Sequence, residues 1–167
     1  MGKSGKFIAV MMGSDTDLPV MQATVEVLRE FEVNYELRVL SAHRTPDETR
    51  AYVRDAESRG CAVFVAGAGM AAHLAGSVAA GTIRPVIGVP IDAGPLSGFD
   101  ALLSTVQMPG GVPVATVAIG KAGARNAGYL AAQILALSDD DLAERVAKER
   151  RNQAEAVIAR DAGVREG

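Results

Sequence analysis

The chain contains only two histidines, and one of them, His43, stands next to an arginine in Ser41-Ala42-His43-Arg44-Thr45-Pro46-Asp47. Histidine is the side chain best matched to proton transfer near neutral pH. Arginine presents a planar fork that matches a phosphate. A proton-transfer residue beside a phosphate clamp is what an enzyme acting on a small phosphorylated molecule needs. A blander alternative is that Thr45 caps a helix with Pro46 at its first position, leaving His43 and Arg44 solvated.

A second loop, Gly13-Ser14-Asp15-Thr16-Asp17, could seat a phosphate on the N–H groups of a helix start and on the Ser14 and Thr16 hydroxyls. Asp15 and Asp17 oppose that reading unless Asp17 serves as an N-cap or accepts from sugar hydroxyls. The same DxD spacing could mark an aspartyl-phosphate phosphatase, with Lys121 as its lysine, but no acidic pair ends a later strand to hold magnesium. A third loop, Gly67-Ala68-Gly69-Met70-Ala71-Ala72, fits G-x-G-x-x-A, with Asp92 some way beyond. Dinucleotide folds carry that fingerprint in their first strand–helix unit, whereas here it falls in the third. Its glycines are better suited to letting a small planar ligand approach the backbone. His73 follows, and its spacing fits either packing within an Ala-rich helix or facing the pocket mouth.

Strands and helices must bring these loops together. Phe7–Met12, Cys61–Ala66 and Pro85–Pro90 are continuous apolar runs, as in strands covered on both faces. Val33–Val39 alternates apolar and polar residues, which suits an edge strand, and Val114–Ile119 is the fifth strand. Between them lie helical patterns at Asp17–Phe31, at Pro46–Arg59 with Gly60 as its stop, at Ala71–Ala80, around Ser97–Val106 and around Ala124–Leu137. Five strands alternating with helices predict a three-layer, doubly wound parallel α/β sheet, flavodoxin-like in its order 2-1-3-4-5. Ligands bind such sheets beyond the carboxyl ends of the strands. That singles out Gly13–Thr16, Ser41–Thr45, Gly67–Met70, Asp92–Leu96 and Gly120–Gly123. Residues 1–167 are expected to form a single catalytic domain, with 138–167 as a charged C-terminal helical extension of weak apolar periodicity.

Composition removes several other classes of function. A net charge of -3 and a pI near 5.4 offer no basic field for nucleic acid or for an anionic membrane. Met1–Lys6 is a short polar lead-in unlike a signal peptide, and no run approaches the ~18 apolar residues of a membrane span. Cys61 is the only cysteine, so no internal disulfide is available, and a reducing cytoplasm is expected. Its place inside an apolar strand marks it as core. No ligand cluster recommends a metal. Aromatics make up 4% of the residues and tryptophan is absent, so aliphatics and close backbone approach must fill the core. Helices built from small residues would pack closely against something, and in a chain this short a second copy is a candidate.

The stretches VMMGSDTDLPVM, VLSAHRTPD, VAGAGMAAHLAG, PVIGVP and LSTVQMPGGVPVATVAIGKAGARNAGYLAAQIL resemble, in order, the class I N5-carboxyaminoimidazole ribonucleotide mutases of the PurE family. The resemblance covers most of the chain up to about Leu137. It departs in the third loop, where Met70 stands for a glycine and Ala75 for a proline. His43, Arg44 and His73 match, and the corresponding loops of the class II carboxylases look different.

The resemblance implies a step of de novo purine biosynthesis that moves a carboxylate from the exocyclic nitrogen to C4 of the imidazole. It implies no ATP, metal or cofactor. His43 would act as general acid and then general base. Ser14 and Arg44 would hold the phosphate and Asp17 the ribose hydroxyls, with Ser41 and His73 as further substrate contacts. Gly67, Ala68, Gly69, Ala71 and Ala72 would line the pocket for the base and for carbon dioxide. The resemblance further implies a homo-octamer with sites shared between subunits. Such an assembly would give the Ala-rich helix and the charged last helix something to pack against.

Overall fold

A computed structural model describes residues 5–165; the ends of the lead-in (1–4) and of the C-terminal extension (166–167) lie outside the described residues. The sheet is built from β1 (Phe7–Met12), β2 (Tyr35–Val39), β3 (Cys61–Gly69), β4 (Val86–Ile91) and β5 (Ala115–Thr116). Every pairing is parallel, and the order is β2-β1-β3-β4-β5. The flavodoxin-like order and the edge position of β2 agree with the sequence patterns.

The apolar runs are explained by their two covered faces. In β1, Ile8, Val10 and Met12 enter one core, whereas Phe7, Ala9 and Met11 enter the other. The first core lies under α1 (Leu18–Glu30) and α5 (Gly120–Ala136), the second under α2 (Pro46–Ser58) and α3 (Leu74–Ala79). The small residues of α5 find their partner within the chain. Ala124, Ala127, Ala131 and Ala132 are fully buried, and a methyl added at Gly128 would stand 2.8 Å from Val27 Cβ. The Thr24 hydroxyl donates to the Ala124 carbonyl at 2.7 Å, so α1 and α5 are joined where their backbones approach. α3 likewise buries Leu74, Ala75 and Val78 under its own sheet.

Several boundaries differ from the sequence expectation. β3 continues through Gly67, Ala68 and Gly69, because β4 pairs with it as far as Gly69↔Ile91. α3 starts only at Leu74, leaving residues 70–73 as the connection, and α4 (Phe99–Val106) starts two residues late. β5 shrinks to Ala115–Thr116, with Val117 N–H still donating to the Gly88 carbonyl at 3.1 Å before the chain turns at Gly120, where φ is +74°. Gly120–Gly123, expected as a loop, is the first turn of α5. The last helix, α6 (Asp140–Arg165), buries only Leu142, and residues 151–165 are exposed throughout.

Candidate active site

Three loops meet at the carboxyl ends of β1, β2 and β3 around a cleft of about 420 Å³. Ser14, Asp17, Ser41, His43, Arg44, Ala68, Gly69, Ala71 and His73 all line it. Two of the expected residues do not. Gly67 turns its Cα toward α1, where an added methyl would strike Met21 Sδ at 2.3 Å, and Ala72 is buried behind the lining. Extension of β3 causes the first departure, because strand alternation sends Gly67 to the face opposite Ala68.

The loop after β1 is a 3-10 turn, Asp15–Asp17, closed as a capping box. Ser14 is the cap, its hydroxyl accepting from Thr16 N–H, and the Asp17 carboxylate accepts from Ser14 N–H at 3.1 Å. Asp17 is thus the reciprocal member of the box, and it also stands at the N-cap position of α1, without a side-chain cap bond to that helix. Burial pushes the Asp17 carboxyl above its ordinary range, the Ser14 N–H and the Arg44 charge pull it back, and Asp15 adds to the rise. A buried carboxylate held this way is not a free phosphatase acid. Likewise, Gly67–Gly69 is paired strand rather than the tight turn that a dinucleotide fingerprint needs.

The loop after β2 is held by polar bonds. Thr45 occupies the cap position of α2, but its hydroxyl points backward, accepting from Ser41 N–H at 2.9 Å and donating to the Ser41 carbonyl at 3.1 Å. The Thr49 hydroxyl, buried one turn on, donates to the Thr45 carbonyl at 2.8 Å. Arg44 N–H donates to Ser41 Oγ at 3.1 Å, and its guanidinium reaches across to donate to the Gly13 carbonyl at 2.9 Å. Nη2 thus ties two loops together, Nε–H leans on Ser41 Oγ at 3.5 Å, and the remaining Nη N–H groups are left for an anion. Arg44 and His43 are exposed despite this anchoring.

His73 precedes α3 and faces the cleft, which decides between its two readings. His43 Nε2 and His73 Nδ1 lie 2.7 Å apart with the rings edge to face. At that distance one nitrogen must donate and the other accept, so a single proton is shared between the rings. Beside the pair, Ala42, Ala68, Ala71 and Ala93 offer a small apolar wall, and Ser14, Arg44 and Asp17 form the polar end. Ala93 and Met70 also line the cleft, though neither was expected as a substrate contact. The first lies in Asp92–Leu96, one of the loops the strand-end rule selects. Met70 adopts a left-handed backbone, φ +54°, at a cost of roughly 1–2 kcal/mol for a residue other than glycine. Among the described residues no group of three or more His, Cys, Asp or Glu is placed to hold a metal.

The sequence profile of a family described as AIR carboxylase matches residues 7–156. The chain is 53% identical over 151 residues to the N5-carboxyaminoimidazole ribonucleotide mutase of Bacillus subtilis, covering 90% of this chain and 93% of that protein. It is 55% identical over 139 residues to the mutase of the same name from Thermotoga maritima, covering 83% and 80%. The crystal structure of Treponema denticola PurE superposes with a TM-score of 0.86 at 26% identity, covering 95% of this chain and 98% of that one.

Proposed function

We infer the function from one premise, that this chain belongs to the AIR carboxylase family. Within it the chain is an isomerase, an N5-carboxyaminoimidazole ribonucleotide mutase of purine biosynthesis. The observation that carries the mechanism is the histidine pair at 2.7 Å, a single proton-transfer centre between a polar end and an apolar wall.

The substrate phosphate sits at Ser14 and Arg44, the ribose hydroxyls at Asp17, and the base against Ala68, Gly69 and Ala71. Cleavage of the carbamate N–C bond leaves its electron pair on the exocyclic nitrogen, which takes a proton from His43, and carbon dioxide departs uncharged. C4 then gives its electron pair to that carbon dioxide, and the C4 proton returns to His43. His73 holds the His43 ring and shares its proton between the two transfers. No proton is gained or lost overall, which suits a site with one acid–base centre and no metal, ATP or cofactor. Holding carbon dioxide against the ring makes the second step effectively unimolecular.

Residues 1–167 act as one catalytic unit, assembled as a homo-octamer in the cytoplasm. Leu96, Phe99 and Leu103, each more than half exposed around α4, support self-association. The lone Cys61 supports a reducing compartment.

The family's description favours a second reading, a carboxylase that fixes free carbon dioxide on the aminoimidazole ribonucleotide. The two separate in one experiment, with carboxyl-labelled carbamate and chelated protein in buffer depleted of bicarbonate and free of ATP. The expected result is label at C4. Dependence on added carbon dioxide, with the carbamate ignored, would establish the carboxylase instead.

A further inference from the structure

Met70 combines a strained backbone, an exposed side chain and a place in the cleft lining. Its φ is +54°, its exposure is 55%, and it lines the same cavity as His43, His73, Ala71 and Ala93. Strain of this kind persists where the surroundings impose it, and it gathers at working sites. The imposing neighbours are identifiable. A methyl added at Gly69 would strike Ala93 Cβ at 2.5 Å, so the last residue of β3, immediately before Met70, is pressed against the connection after β4. A methyl added at Gly94 would stand 3.4 Å from Met70 Cγ, which lays the thioether arm alongside that second connection. Met70 thereby stands at the rim of the cleft where the connections after β3 and β4 come together.

The wall beside the histidines consists of alanine methyls, and carbon dioxide is small, uncharged and weakly hydrated. A flexible apolar arm is suited to closing such a space. We propose that Met70 is a retention residue, whose side chain covers the apolar side of the cleft and keeps released carbon dioxide beside the ring until C4 captures it. The inference rests on the mutase reading above. It assigns Met70 control over how the intermediate divides between capture and escape, separate from the proton chemistry of His43.

The test uses the full chain, carboxyl-labelled carbamate and an unlabelled carbon dioxide pool, and reads decarboxylated amine and unlabelled product per labelled product. Glycine accepts φ +54° without strain, so Met70→Gly is expected to fold at least as well as wild type. It is expected to raise the escape ratio at least about threefold, since the open side of the site lets the intermediate diffuse away. Met70→Leu, which restores an apolar cover, is expected to return the ratio most of the way to wild type. An unchanged ratio in Met70→Gly, or equal escape in Met70→Leu and Met70→Gly, would overturn the inference while leaving the mutase reading intact. A wild-type protein that moves no label to C4 would overturn both.

Discussion

The loops after β2 and β3 each bring one histidine to the same point, by opposite means. The first is held by hydrogen bonds among Ser41, Arg44, Thr45 and Thr49, several of them made by side chains. The second has one short backbone bond, His73 N–H to the Ala71 carbonyl, and otherwise takes its shape from close approach at Gly69 and a left-handed Met70. A polar web can fix a side chain that stays in water, because its bonds need no burial of the residue they position. A loop shaped by steric fit determines the outline of a cavity. The first arrangement suits the group that moves protons, and the second suits the wall that shapes the space around them.

The largest expected effect follows from the first loop's chemistry. His43→Asn should lower turnover by ~10²–10⁴-fold while fold and nucleotide binding persist, because both proton transfers lose their acid–base group. Steady-state rates on protein with an unchanged circular dichroism spectrum check it. If the variant keeps more than about a tenth of the activity, the proton role belongs to the second loop and the contrast fails.

An intermediate effect tests the polar web. Thr45→Val keeps the side-chain shape but leaves Ser41 N–H without its acceptor, while the Ser41 carbonyl keeps the backbone N–H of residue 45, which should lower unfolding free energy by about 1–3 kcal/mol. Thr45→Ser should recover most of it. The comparable small change in the other loop, Ala71→Ser, should fall within about 0.5 kcal/mol, since Ala71 is exposed and makes no side-chain bond there. Denaturant titration of the three variants measures the contrast, and equal losses in both loops would remove it.

The smallest effect concerns pH. Burial raises the Asp17 carboxyl, so the folded chain holds more protons than the unfolded chain between Asp17's ordinary value and its raised one. Wild-type stability should therefore fall relative to Asp17→Asn as pH rises through that window, the asparagine oxygen still accepting from Ser14 N–H. Paired thermal melts across the acidic range would show it, and a stability gap that widens in favour of wild type would reverse the assignment.

Much of this was legible in the residues. Two-sided burial makes β1, β3 and β4 uniformly apolar, and parallel pairing requires the helices between them. The strand-end rule then selects the loops of Ser14, His43 and Ala93. What periodicity cannot carry is pairing length and distance. Gly67–Gly69 reads as a loop because glycine is a poor strand former, yet β4 supplies bonds that extend β3 through it. Val114–Ile119 reads as a full strand, yet its ladder with β4 covers only Ala115 and Thr116, with one further bond from Val117 N–H to the Gly88 carbonyl. Thr45 sits where a cap belongs and bonds backward instead, a choice set by Ser41. The His43–His73 contact joins residues thirty positions apart from two different loops, so spacing along the chain holds no trace of it.

The hydrogen bond from Thr24 to the Ala124 carbonyl joins positions 100 residues apart, and it has a consequence for how the protein is born. At ~5–20 residues per second, the ribosome releases α5 roughly 5–20 s after α1. Every polar and ionisable residue assigned to the site, from Ser14 to His73, has left the ribosome before the helix that pins α1 to the sheet exists. During that interval the nascent chain carries a full set of chemical groups without the frame that aims them. That frame is completed by a stripe of alanines that lines no part of the cleft.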